Sequence, residues 1–455
     1  MPGIVLVLFF VLAIVLMILA ISKLKLHPFL AIMGVSLLFA LLSGIPITKI
    51  PGIIGQGFSG TFSSIGIVII LGALIGTILE KTGAALKLAD MIIKLVGEKN
   101  PELAVELMGW VVSIPVFCDS GFVILNPIRK AMVQKTRTSS VAMTVALSAG
   151  LYISHVFIPP TPGPIAAANT LGIGNHLLMV MGFGALCSIL PLIVGFIFAK
   201  KVGKKITAND EAGMSDNGEV QKTYDELVKE YGKLPNGFDA LAPIIVPIIL
   251  MGLGSISSMV GWSGAWGNIC VFLGTPIIAL AVGTIFAIWQ LLRSKNKSKF
   301  YEITNDTLKV TGPILFVTAA GGVLGKVVQS SALVPFITEH SSVFEAIGIL
   351  FPFILAAILK TAQGSSTVAI TTTAGIIAPL LPVLGLASPA RAALTVMAIG
   401  AGAMTVSHAN DSYFWVVTNF GGMTPEKGYK TQTMCTLFLG LSAIVEIFIL
   451  SLFIR

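Results

Sequence analysis

Charge is what this sequence has least of. Asp, Glu, Lys and Arg make up 11% of its 455 residues, less than half the roughly 25% of a soluble globular domain. Most of the chain therefore never meets water, and a soluble fold is excluded. Cysteine is scarce too. Cys118, Cys187, Cys270 and Cys435 lie scattered in or beside apolar runs without CxxC spacing, so neither a disulfide framework nor a zinc site is expected. There is no Gly-rich nucleotide loop, CxxCH haem motif or HExxH zinc motif. That argues against an ATP-driven pump, against a bound cofactor and against an enzyme. The net charge of +8 does not point to nucleic acid, because the basic residues sit in short clusters beside apolar spans. These clusters are Lys23 and Lys25; Arg129, Lys130, Lys135 and Arg137; Lys200, Lys201, Lys204 and Lys205; and Arg293, Lys295, Lys297 and Lys299. They read as cytoplasmic ends of membrane spans.

Apolar length is what the sequence has in abundance. Hydrophobic residues make up 55% of it, and the mean hydropathy is +0.93. A helix needs about 20 apolar residues to cross a hydrocarbon core. Apolar spans fall near residues 2–22, 28–46, 62–80, 103–118, 139–160, 176–199, 241–260, 268–292, 310–329, 343–360, 391–406 and 432–454. The expectation is an all-α polytopic membrane protein of about 12 transmembrane helices plus re-entrant pieces. Pro2–Ile21 has no basic residue ahead of it and no A-x-A cleavage site, so it reads as a retained helix rather than a signal peptide. The one sizeable polar segment follows four lysines, which puts loop 201–239 in the cytoplasm.

The two halves resemble each other. GALIGTILEKTGA from Gly72 matches GGVLGKVVQSSA from Gly321, and LSAGLYISH, ending at His155, matches AIGAGAMTVSH, ending at His408. Corresponding loops differ in basic content in one consistent sense, as expected of copies inserted upside-down relative to each other. Inverted repeats characterise secondary transporters, with sites near the midplane where the repeats meet. The expected division is N-terminal scaffold helices at 1–60, a first repeat at 61–200, the loop at 201–239, scaffold helices at 240–300 and a second repeat at 301–455.

Four polar segments interrupt the apolar runs, two in each half. PVFCDSGFVILNP (115–127) carries Asp119, Ser120, Gly121 and Asn126. A carboxylate at this depth costs about 3 kcal/mol on insertion scales, so it marks ion or substrate handling, or else caps a buried helix start. KTAQGSSTVAITTTAG (360–375) offers Gln363, Gly364, Ser365, Ser366 and Thr367. It suits a re-entrant tip whose helix N-terminus binds an anion, or a polar contact between helices. SHVFIPPTPGPIAAANTLG (154–172) has four prolines within six residues, with His155, Thr161 and Asn169 around them. It is unwound rather than merely kinked. SHANDSYFWVV (407–417) places Ser407, His408, Asn410, Asp411 and Ser412 at the related position. His155 and His408 are either proton carriers, given an ordinary pKa near 6.5, or buried neutral rings bonded to backbone carbonyls.

The strings CDSGFVIL (118–125), HVFIPPTPGP (155–164), AQGSSTVA (362–369) and SHANDSYFWVV resemble the gluconate:proton symporter family, over essentially the whole chain. The resemblance implies proton-coupled uptake of small hydroxylated carboxylates across the bacterial cytoplasmic membrane. It also implies an inverted-repeat carrier with paired re-entrant hairpins, working as a homodimer in which a transport domain moves as an elevator. Gluconate-type members commonly read PPHPGP where Thr161 stands here, and the CDSG string also departs from that branch. These departures widen the expected substrate from gluconate to sugar acids and small hydroxy acids.

The expected substrate contacts are Ser120, Gly121, Asn126, Thr161, Asn169, Gln363, Gly364, Ser365, Ser366, Thr367, Ser407, Asn410 and Ser412. The expected proton handlers are Asp119, His155, His408 and Asp411. Sodium in place of the proton, an amino-acid substrate such as D-serine, and a channel are the alternatives.

Overall fold

Backbone groups in hydrocarbon have no water to bond, so a membrane chain satisfies them within helices. The computed structural model follows that rule: among the described residues, which are 3–97, 100–208, 234–333, 335–336, 348–409 and 411–454, no strand occurs. The first half contains α1 (Gly3–Ser22), α2 (Pro28–Leu42), the long α3 (Ile50–Lys81), α4 (Ala84–Val96) and α5 (Pro101–Val112). It continues through α6 (Cys118–Thr136), α7 (Ser140–Phe157), α8 (Pro162–Thr170), α9 (Leu177–Leu186) and α10 (Ile189–Gly203). Most of loop 201–239, namely 209–233, lies outside the described residues. The second half contains α11 (Gly237–Val260), α12 (Gly264–Gly274), α13 (Pro276–Leu292), the long α14 (Phe300–Ser330) and α15 (Leu350–Gln363). Then come α16 (Ser366–Ile377), α17 (Pro389–Met404), α18 (Ser412–Phe420), α19 (Pro425–Gly428) and α20 (Met434–Phe453). A π turn, Tyr429–Thr433, joins the last two.

Among the described residues, length and composition give six helical stretches able to cross a membrane, or eight if each bent pair is one span. Four further apolar helices, Pro28–Leu42, Leu350–Ala362, Ser366–Leu380 and Pro389–Met404, are each only 10–17 residues long. Twelve full crossings are thus more than length alone supports, because several apolar spans are broken. The stretch from α3 into α4 bends by 76° at Thr82–Gly83, and the 268–292 span bends by 71° at Thr275. Leu8, Val11 and Leu19 on α1, and Val445, Ile449 and Leu452 on α20, are exposed. Such apolar faces are what lipid covers.

The centre is α7, buried along its whole length, beside α17, buried from Ala392 to Met404. Both end in a non-helical break. From α7 the chain runs through Ile158–Thr161 into α8, and from α17 through Thr405–Asp411 into α18. Glycines set how closely other helices approach these breaks. A Cβ on Gly72 of α3 would stand 2.8 Å from the Pro160 carbonyl oxygen, and one on Gly76 would overlap the Pro115 carbonyl. On α14, Gly325 approaches the Gly375 carbonyl, leaving 2.7 Å for a Cβ.

Candidate functional site

The four breaks come together. Lys360, in the last turn of α15, reaches Asp411 with its Nζ 2.6 Å from Oδ2, and the two side chains are 1% and 6% exposed. The same ammonium donates to the Gly364 carbonyl, which the left-handed backbone at Gly364 (φ +87°) makes available beyond the helix end. Ser407 Oγ donates to Asp411 Oδ2 at 2.6 Å. Tyr413 N–H donates to Oδ1 at 3.1 Å, so Asp411 is also the N-cap of α18. Ser407 faces inward because Val406 holds φ at +59°. For a β-branched residue that conformation costs about 1–3 kcal/mol and needs support from its surroundings. That support comes from both sides of Ser407, whose N–H donates to Thr436 Oγ1 at 2.9 Å while its carbonyl accepts from Thr433 Oγ1 at 2.6 Å.

Asp119 enters this cluster from the other half of the chain. It lies in the first turn of α6, partly exposed, and accepts from Ser412 Oγ at 3.1 Å. Cys118 Sγ is 3.7 Å from its other oxygen. Asp119 makes no ion pair among the described residues. Beside this pair, Tyr152 of α7 has Lys360 Nζ 5.7 Å from its ring centre, and its hydroxyl donates to the Ala403 carbonyl at 3.4 Å.

The remaining expected residues fall into distinct places. Ser120 is half-buried beside Asp119, and Gly121 is buried so closely that a Cβ would come within 2.7 Å of Leu151 Cδ2. Ser365 caps α16, donating no proton there but accepting from Val368 N–H at 3.3 Å, while Ser366 and Thr367 are nearly buried in its first turn. His408 Nε2 lies 3.1 Å from the Thr361 carbonyl, the architectural role open to such a ring. His155 is buried with its ring 6.0 Å from that of Phe117, and its Nδ1 has no partner among the described residues. Thr161 Oγ1 donates to the Ile158 carbonyl at 2.7 Å, inside its own turn. Gln363 is the last residue of α15, and Asn410 lies outside the described residues.

Two asparagines are elsewhere. Asn126 accepts from Arg129 Nε at 2.8 Å. Asn169 lines a cavity of about 530 Å³ between α3, α8, α14 and α16, together with Gln56, Lys326 and Gln329.

Arg129 corrects one reading of charge. It belongs to a basic cluster in sequence, yet it is fully buried. Its guanidinium donates to Asn126, to the Ser140 hydroxyl at 2.8 Å and to the Phe420 carbonyl at 3.5 Å, joining α6, α7 and α18. A planar fork makes these bonds where a lysine has only a point charge. Arg129→Lys is therefore expected to lower the melting temperature in detergent, whereas exposed Arg137→Lys is not.

Lys360 was absent from the expected site, and so was Glu106. Glu106 is fully buried in α5, and neither of its carboxyl oxygens has a partner among the described residues.

Broken helices that gather buried ionisable groups within an all-helical, lipid-faced body are the build of a multi-pass membrane permease. A family model described as GntP family permease matches residues 5–453, and the chain belongs to that family. An uncharacterized permease of Haemophilus influenzae is 33% identical, over 91% of this chain and 86% of its own length. The inner membrane permease YgbN of Escherichia coli K12 is 31% identical over 94% of each chain. The low-affinity gluconate transporter of the same strain is 30% identical over 94% of each. Among solved structures, the Alcanivorax borkumensis YdaH transporter superposes with a TM-score of 0.63 at 15% identity, covering 93% of this chain and 97% of that one. Neisseria gonorrhoeae MtrF gives 0.63 at 13% identity, covering 94% and 96%. At those identities the likeness is one of fold.

Proposed function

We propose that the chain imports a small hydroxylated carboxylate, gluconate or a related sugar or hydroxy acid, together with a proton. The charge balance where the breaks meet carries this reading. Lys360 and Asp411 neutralise each other, whereas Asp119 has hydroxyl and thiol neighbours but no cation of its own among the described residues. An anionic substrate about 5 Å from ionised Asp119 is repelled by about 3 kcal/mol at an effective dielectric near 20. A proton on Asp119 removes that repulsion. Substrate and proton therefore favour each other's binding, which is symport. The substrate's hydroxyls find partners in Ser120, Ser365, Ser366 and Thr367, and its carboxylate finds the N-terminal ends of α6 and α16.

One observation favours the proton over sodium. The Gly364 carbonyl and the Asp411 carboxylate, oxygens of the kind that hold Na⁺ in broken-helix carriers, are already occupied by the Lys360 ammonium.

We also infer that residues 61–200 and 301–455 are inverted repeats, each with a re-entrant hairpin (α5–α6 and α15–α16) and a broken helix (α7–α8 and α17–α18). The order long helix, hairpin, buried helix, short helix recurs in both halves. The Lys81 carbonyl at the end of α3 accepts from Asn296, in the lysine-rich turn that begins α14. The basic ends of these two long helices therefore lie together, at the cytoplasmic face by the positive-inside rule. Gln56, about 38 Å away along α3 at 1.5 Å per residue, puts the 530 Å³ cavity toward the outside. That cavity lies where α3 and α14 meet α8 and α16, as expected where a moving domain meets a fixed scaffold. The bacterial inner membrane and a homodimeric state follow the family resemblance.

Reconstitution in sodium-free proteoliposomes tests the reading. An inward proton gradient is expected to drive accumulation of one or more of gluconate, glycerate, threonate, 3-hydroxybutyrate and D-serine. Asp119→Asn should still exchange labelled for unlabelled substrate across the membrane but no longer accumulate it. Unchanged proton-driven accumulation by Asp119→Asn, or an absolute need for sodium, overturns the assignment.

A further inference from the structure

Between α10 and α20, away from the site above, lies a groove of about 500 Å³. Its walls are apolar. Ile197 and Phe438 are 45% and 40% exposed along it, and Phe198 packs on Phe438 with ring centres 5.5 Å apart. Its mouth carries Lys201, Lys205 and Lys430, all exposed. None of the three has a carboxylate partner among the described residues.

Helix electrostatics explains only part of this arrangement. Lys201 and Lys205 stand at the end of α10, where cations suit the helix dipole. Lys430 stands near the start of the helical stretch that runs from Pro425 to Phe453, where the dipole favours an anion instead. Three cations without a carboxylate partner among the described residues line one apolar trough there. A trough of this kind fits one class of molecule, with a negative head and a hydrocarbon tail. Basic clusters at the cytoplasmic end of membrane helices are the positions where anionic headgroups gather.

We propose that this groove binds an anionic phospholipid, its phosphate held among Lys201, Lys205 and Lys430 and an acyl chain lying against Ile197 and Phe438. The site ties the last helix of each half of the chain together from the lipid side. It is independent of what the permease carries.

The test uses the full-length protein in detergent, with phosphatidylglycerol or phosphatidylcholine added back and binding followed by native mass spectrometry and melting temperature. Phosphatidylglycerol is expected to bind and to raise the melting temperature, phosphatidylcholine much less, and inorganic phosphate not at all. Each lysine near an anionic headgroup contributes about fivefold in affinity. Replacing all three (Lys201→Gln, Lys205→Gln, Lys430→Gln) should therefore weaken phosphatidylglycerol binding by about a hundredfold, leaving the lipid-free melting temperature unchanged. Removing three lysines elsewhere (Lys23→Gln, Lys297→Gln, Lys299→Gln) should leave the preference intact. Equal binding of the two lipids, a preference that survives the first triple variant, or one lost equally in the second overturns the proposal.

Discussion

Lys360→Met is expected to be the most damaging single substitution near the site. The pair it breaks is buried, with 1% and 6% of the two side chains exposed. Removing one partner of such a pair leaves an uncompensated charge and costs about 3–5 kcal/mol. Here the loss is compounded, because the same ammonium holds the Gly364 carbonyl at the turn into α16. Among the described residues, Asp411 would then have the Ser407 hydroxyl and the Tyr413 N–H to stabilise its charge. The measurable results are a lower melting temperature in detergent and loss of substrate counterflow. A double variant, Lys360→Met with Asp411→Asn, separates the two effects. With no charge left to bury, it should recover much of the thermal stability, since neutral replacement of a buried pair is often close to neutral in energy. Counterflow should stay lost, because the geometry of the turn depends on the ammonium. Wild-type stability and counterflow in Lys360→Met alone would refute the role assigned to the pair.

The fate of Lys360 shows what the sequence hides. It ends an apolar run and precedes a polar one, the position of any lysine whose head reaches a membrane surface. Only the fold brings it onto Asp411, 51 residues on. Asp119 and Asp411 were legible because a carboxylate within an apolar run is costly wherever the helix points. Ser407 and Ser412 were legible by adjacency to them. Asn126 and Asn169 lie apart from that cluster, which residue type does not foretell, since an amide serves equally well to bind substrate, to hold Arg129 or to line a cavity. Arg129 was hidden in the opposite way, as a buried staple inside a run of surface cations. The prolines at 159–164 and the glycine at 364 announced breaks, and breaks are there. The number of full crossings was less legible, because apolar composition reads the same in a span and in two half-length helices joined at a bend.

Gly76→Val is expected to slow transport while leaving the substrate site intact. Gly72 and Gly76 on α3 lie under the carbonyls of Pro160 and Pro115, which belong to the α7–α8 and α5–α6 breaks. Gly321 and Gly325 on α14 lie under the Thr371 and Gly375 carbonyls of α16. Each long helix thus presents two glycines, four residues apart, to the backbone of a segment that carries site residues. Small residues allow helices in lipid to approach with no interlocking side chains, and a contact without interlocking is one along which segments can slide. A valine at Gly76 inserts bulk against the Pro115 carbonyl, and overpacking of this kind costs about 1–3 kcal/mol. Expressed on the barrier to movement, that slows turnover by roughly five- to more than a hundredfold. Uptake should fall accordingly, whereas the rise in melting temperature on adding substrate should persist. Gly325→Val should behave alike from the other half of the chain. Gly60→Ala, which has nothing within 4 Å of the added carbon, should transport normally. Should Gly76→Val fail to fold, Gly76→Ala presents the same collision with less bulk. A folded Gly76 variant that takes up substrate at the wild-type rate would show that this contact does not slide.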